Sequence, residues 1–118
     1  MLAHIVLLRP RADVREADRE ALVAALEAAA RAIPGIRRFQ VGRRLRVDRD
    51  YERAMTEPFE YAAVIEFDDL GGLRTYLDHP GHEVLGTHLG AMFDAMLVYD
   101  YEMRTAGEVR ELLRGGNP

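Results

Sequence analysis

The stretch Tyr76-Leu77-Asp78-His79-Pro80-Gly81-His82 cuts a helix-forming run with a proline and crowds a tyrosine and two histidines around the cut. Pro80 bars His79 from helical geometry, so the chain kinks there. Two helical pieces joined by such a kink can aim side chains into one space. Tyrosine and histidine are the side chains suited to moving protons or polarising a carbonyl near neutral pH.

Upstream of the cut, Asp68 or Asp69 caps a short helix with Leu70, Leu73 and Leu77 on one side, and Gly71-Gly72 weakens its start. Downstream, Leu85, Leu89, Met92 and Met96 keep helical register over about 81–95. Strands flank the broken helix. Phe59 to Phe67 sets Tyr61, Ala63, Ile65 and Phe67 on one face. Met96 to Met103 alternates Leu97, Tyr99, Tyr101 and Met103 against Val98, Asp100 and Glu102.

Nearer the N-terminus, the apolar run His4–Leu8 reads as a strand. Leu2, His4, Val6 and Leu8 share one face; Ala3, Ile5 and Leu7 share the other. Both faces are largely apolar, which predicts cover on both sides. Asp13 offers an N-cap with Glu16 as its capping-box partner, and Leu22, Leu26, Ala29 and Ile33 recur at helical spacing. The spacing predicts a helix over 14–33, ended by Pro34-Gly35. Phe39, Val41 and Leu45 suggest a second strand within 36–47, with Gly42 marking a bulge or bend. Residues 48–58 read as a charged loop.

The order strand, helix, strand, strand, broken helix, strand predicts an α+β domain. Its form is the ferredoxin-like split βαβ arrangement, with a four-stranded antiparallel sheet over residues 1–103. The tail 104–118 carries Val109, Leu112 and Leu113 on a short helix before Gly115-Gly116-Asn117-Pro118, which should fray. Helices on one face leave the other bare and apolar, so a homodimer packing sheet on sheet is expected.

Composition narrows the function. The chain has 118 residues and a net charge of −4, which argues against a nucleic-acid partner. All 16 basic residues are arginine, so Schiff-base chemistry and a P-loop lysine are excluded. Cysteine is absent, which removes thiolate nucleophiles and disulfides and fits a cytoplasmic location. The apolar N-terminal run is too short for a membrane span, so neither a membrane partner nor a signal peptide is expected. There is no Trp, and the only Asn is Asn117, which weakens any likeness to haem-degrading or quinol-forming monooxygenases of similar fold.

Each candidate residue carries two readings. His82 is a general base for an acidic C–H, or it satisfies backbone groups at the start of its helix. Tyr76 is a donor to a developing enolate oxygen, or a core aromatic. His79 caps the second helical piece, with a pocket role second. His4 is a hydrogen-bonded core histidine or a polar group of a pocket. His88 falls on the outer side of its helix. His79 and His82 are three apart, but His79 lies outside the helix, so their geometry does not suit a metal, and no metal is expected.

His4-Ile5-Val6-Leu7-Leu8, Tyr61 to Phe67 with Asp68-Asp69-Leu70, the Tyr-x-x-His-Pro-x-His element at 76–82, and Val98-Tyr99-Asp100-Tyr101-Glu102 together resemble the stress-responsive dimeric α/β-barrel (Dabb) family. The likeness spans residues 2–103. It implies a homodimeric α/β barrel and a small pocket in each subunit between sheet and helices. A characterised member is a plant polyketide cyclase that closes a ring by aldol chemistry without a cofactor. By that resemblance Tyr76 and His82 are the catalytic pair. His4 is a pocket histidine, and Tyr61 stands where the plant enzyme has another. The expected activity is a cofactor-independent cyclase or lyase/isomerase on a small apolar carbonyl compound, with His4, Tyr61 and His79 contacting substrate. The alternative is a non-catalytic ligand-binding or stress-associated dimer.

Overall fold

The computed structural model describes residues 1–114. Strand β1 spans Leu2–Pro10, helix α1 Glu16–Ala32, β2 Ile36–Arg43, α2 Asp50–Ala54, β3 Tyr61–Phe67, α3 Leu70–Asp78, α4 Pro80–Met92 and β4 Phe93–Glu102. A 3₁₀ turn at Ala106–Glu108 leads into α5, Val109–Arg114. The strands form one antiparallel sheet in the order β2-β3-β1-β4, so β1 and β3 are central. This is the ferredoxin-like arrangement that the element order predicts.

Register decides which face each side chain takes. His4 pairs with Ile65 and Asp100, Val6 with Ala63 and Val98, and Leu8 with Tyr61 and Met96. Directly paired residues point to the same side of a sheet. The face carrying Val6, Leu8, Ala63, Ile65 and Phe67 packs against Leu22, Ala25, Ala29 and Ile33 of α1 and against Leu73, Tyr76 and Leu85. Phe67 is completely enclosed; burying a phenylalanine side chain in this way contributes about 1.5–3 kcal/mol.

The kink falls where Pro80 requires it. His79 ends α3 with its N–H donating to the Tyr76 carbonyl at 3.3 Å. The same residue starts α4, its Nδ1 accepting from the Gly81 N–H at 2.9 Å. Pro80 occupies the first helical position, where its missing N–H has no partner to lose. A Cβ built on Gly81 would come within 3.1 Å of that His79 nitrogen, so glycine leaves room for the cap. Asp69 caps α3 by accepting from the Gly72 N–H at 2.9 Å.

Several local expectations change. The first strand is longer than His4–Leu8. Arg15, not Asp13, precedes α1, and no side chain caps that helix; Glu16 is its first residue rather than a capping partner. The irregularity in β2 lies between Ile36 and Arg38, not at Gly42, and the strand ends at Arg43. Within 48–58 the chain forms α2, because the Glu52 carboxylate accepts from the N–H groups of Val47 (2.8 Å) and Arg49 (2.9 Å). The third strand begins at Tyr61 rather than Phe59. On α3 the buried residues are Leu73 and Tyr76, while Leu70 and Leu77 are exposed. Helix α4 ends at Met92, short of Met96. Arg11 closes its C-terminus, its N–H donating to the Met92 carbonyl at 2.8 Å and its guanidinium to the Gly90 carbonyl at 3.1 and 3.0 Å. Strand β4 therefore starts at Phe93, opposite Pro10. The expectation of fraying at 115–118 lies outside the described residues.

Among the described residues the opposite face of the sheet lacks the cover of α1, α3 and α4, and only α2 borders it, sharing a groove with Leu7 and Leu97. Ile5 and Leu7 of β1, Ala62 and Val64 of β3, and Leu97, Tyr99 and Tyr101 of β4 share it by register. Tyr99 is 51% exposed in the single chain, and its ring lies 6.2 Å from that of Tyr101. A sheet this apolar on its open side is covered by a second sheet. In light scattering the protein should have twice the 13.4 kDa chain mass. Leu97→Asp should shift it to the monomer; a variant that stays dimeric at micromolar concentration would remove this face from the interface.

Candidate active site

A cavity of about 250 Å³ lies between the sheet and the helices α1 and α4. Val6, Leu8, Ala63 and Ile65 form its floor, and Leu22, Leu26, Leu85 and Leu89 its sides. Three side chains on this wall carry polar groups: Tyr76, Tyr61 and Arg19. Tyr61 sits edge-on to Phe93 at 5.9 Å, at the end of the sheet where β1 runs out.

Tyr76 is the hub of the other end. Helix α3 turns it inward one turn after Leu73, and it is 2% exposed. Its ring meets four others: His82 at 4.7 Å, Phe67 at 5.4 Å, His4 at 5.6 Å and Phe39 at 6.4 Å between centroids. The contacts with His82, His4 and Phe39 are edge-to-face, the favoured geometry for aromatic pairs. Burial pushes the Tyr76 phenol up to about 12, and no hydrogen bond contributes to the shift. Among the described residues no sealed side-chain N or O lacks a partner, so the hydroxyl keeps access to open space. It stays protonated at any physiological pH, on a side chain that lines the cavity.

His4 is 4% exposed, yet it is a polar side chain in the core. Asp100 resolves that: β4 places it directly across from His4, and the His4 Nδ1–H donates to Asp100 Oδ1 at 2.6 Å. A carboxylate can only accept here, so the bond fixes the proton on Nδ1 and leaves Nε2 as the other ring nitrogen's free position. His82 is half-buried at the third position of α4. Burial first, and the neighbouring His4 second, hold it below the usual histidine range, against an opposing backbone hydrogen bond with Leu77. The positive end of α4 favours the same neutral form.

The residues singled out in the sequence thus fall into three groups. Tyr76 and Tyr61 line the cavity. His82 and His4 flank Tyr76 but form no part of the cavity wall. His79 has its Nδ1 committed to the cap of α4 and also lies off the wall. His88 is half-buried. Two residues escaped sequence reasoning. Asp100 is visible only through the pairing of β1 with β4, although its alternation along β4 was readable. Arg19 shares a helical stripe with Leu22 and Leu26, but an arginine there reads as solvated surface.

No helix among the described residues is long and apolar enough to cross a membrane. Residues 2–103 match the family described as the stress responsive A/B barrel domain, Dabb. None of the curated proteins matches the sequence. Among solved structures, the chain is similar to a dimeric ferredoxin-like protein of unknown function from Jannaschia sp. CCS1. That pair shares 28% identity with a TM-score of 0.68, over 86% of this chain and 98% of that one. A dimeric ferredoxin-like protein of unknown function from Thermobifida fusca gives 24% identity and a TM-score of 0.67, over 86% and 90%. A hydroxynitrile lyase from Passiflora edulis gives 13% identity and a TM-score of 0.72, over 88% and 94%. At their identities the last two share the fold alone. The dimeric Jannaschia structure supports a homodimer here.

Two titrations check these environments. The folded-state value of Tyr76 is raised, so its contribution to stability is present below about pH 10 and is lost as pH climbs toward 12. Ultraviolet titration of the five tyrosines should show one phenol ionising near pH 12, absent in Tyr76→Phe. The folded-state value of His82 is lowered, so its contribution is present above about pH 6.5 and is lost as pH falls through the folded value. The melting temperature should drop less steeply on acidification in His82→Gln than in the parent; identical slopes would show that His82 is not desolvated.

Proposed function

We propose that this chain, which belongs to the Dabb family of stress-responsive α/β-barrel domains, is a cofactor-independent enzyme acting on a small apolar carbonyl compound. The reaction is of the cyclase or lyase/isomerase kind. One observation carries the reading: a buried tyrosine whose phenol has no protein hydrogen bond lines an apolar cavity, and the ring of half-buried His82 lies 4.7 Å from its own.

The chemistry follows from that pair. The substrate carbonyl accepts a hydrogen bond from the Tyr76 hydroxyl. Neutral His82 takes a proton from the adjacent carbon, the C–H electron pair moves into the enolate, and Tyr76 stabilises the oxygen as its charge grows. Where a second carbonyl lies along the same substrate, the enolate carbon attacks it, a C–C bond forms, and His82 returns its proton to the new alkoxide. Because His82 is off the wall, the acidic carbon must reach the edge of the Tyr76 ring at that end of the cavity. The His4–Asp100 pair supports the Tyr76 ring from the sheet side. The apolar wall favours a substrate with little polarity beyond its carbonyls. His79 serves here as the cap that sets the angle between α3 and α4, and Tyr61 as a polar contact at the far end.

A non-catalytic ligand-binding dimer is the second reading. The placement of His4, His79 and His82 off the cavity wall favours it. A linear poly-β-ketone and an aromatic cyanohydrin, offered to the purified dimer, separate the two. Turnover of either should fall at least about a hundredfold in His82→Ala and in Tyr76→Phe. Turnover by both variants at the parent rate, or none by the parent, would leave the binding reading.

A further inference from the structure

We propose that the ligand of this cavity is a carboxylate-tailed carbonyl compound, and that Arg19 binds the carboxylate while Tyr76 receives the carbonyl. The inference rests on the cavity being the ligand site, as argued above, and adds the chemical class of what enters it.

Arg19 is the one charged side chain on the wall. Its place follows from the helix: Arg19, Leu22, Val23 and Leu26 recur at three- and four-residue spacing and all line the cavity. Helix α1 runs back along β1, so its start lies at the Pro10 end of the sheet and its close at the Leu2 end. Arg11, just past β1, joins the last turn of α4 through the Met92 and Gly90 carbonyls. Arg19 therefore shares its end of the cavity with Met92, Phe93 and Tyr61. Tyr76, beside His4 and Phe67, lies at the opposite end. The stripe from Arg19 to Leu26 alone covers roughly 10 Å of helix. Between these ends the wall is hydrocarbon, with no acidic side chain on it. A molecule that satisfies both ends has an anion at one, an apolar chain in the middle and a carbonyl at the other.

The guanidinium is available for exchange. Its partner is Glu16, one turn earlier, at 3.2 Å between two exposed side chains. Surface pairs of this kind are worth little and give way to a better-placed carboxylate. Arginine suits a carboxylate because its planar fork can donate two parallel hydrogen bonds. The apolar wall supplies affinity without direction. Arg19 supplies direction, setting which end of the chain is presented to Tyr76.

Calorimetric titration of the dimer with octanoate and with octan-1-ol tests this without requiring turnover. Octanoate should bind about tenfold more tightly than the alcohol, compete with it, and shift the methyl resonances of Leu22 and Leu89. Arg19→Gln should remove that preference, bringing octanoate affinity down to that of the alcohol measured on the same variant. Glu16→Gln, which frees the guanidinium, should tighten octanoate alone. Equal affinity for the two probes, or octanoate binding untouched by Arg19→Gln, overturns the carboxylate assignment while the cavity remains a ligand site. Failure of both probes to bind, or to compete, overturns the cavity reading together with this one.

Discussion

The junction at His79–Pro80 is the constraint from which the site is built. A proline cannot continue the helix before it, and the ring cannot donate a hydrogen bond to it. One residue then closes α3 through its backbone and opens α4 through its imidazole. That double duty fixes the angle between two short helices with no intervening loop. Tyr76 comes from the last turn of the first helix and His82 from the first turn of the second. Without the break, six residues of helix would separate them by roughly 9 Å along the axis, too far for ring contact.

The second constraint is the burial of charge-capable groups. Four rings surround Tyr76, and two of them are imidazoles. An unpartnered histidine at the depth of His4 would be costly. The Asp100 carboxylate supplies its partner and at the same time fixes which ring nitrogen carries the proton. His82 has no carboxylate and is held neutral. The two histidines on either side of one phenol thus meet different electrostatic surroundings.

Much of the fold was legible in the sequence because periodicity and punctuation agreed. Alternation in β3, the Leu22–Leu26–Ala29–Ile33 stripe of α1 and the proline break each pointed to one structure. What failed was local chemistry carried by atypical residues. Arginine is not a usual helix cap, so the start of α1 at Arg15 and the C-terminal closure of α4 by Arg11 were not readable, and α2 was hidden because its cap comes from Glu52. The apolar series Leu85, Leu89, Met92 and Met96 ran on past the true helix end, since the next element is also apolar. For the site, residue types drew attention to the imidazoles and phenols. Which of them face the void depends on helix angle and strand register, and neither is written in spacing along one chain. Asp100 and Arg19 matter through what lies across from them.

Strand β4 has one further consequence. Its two sides serve different tasks: Asp100 faces His4, while its neighbours Tyr99 and Tyr101 lie on the uncovered side of the sheet. Any shift of this strand moves both together. Damage to the inner side of this ribbon is therefore transmitted to its outer one: loss of the Asp100 carboxylate loosens the same backbone that presents the two phenols.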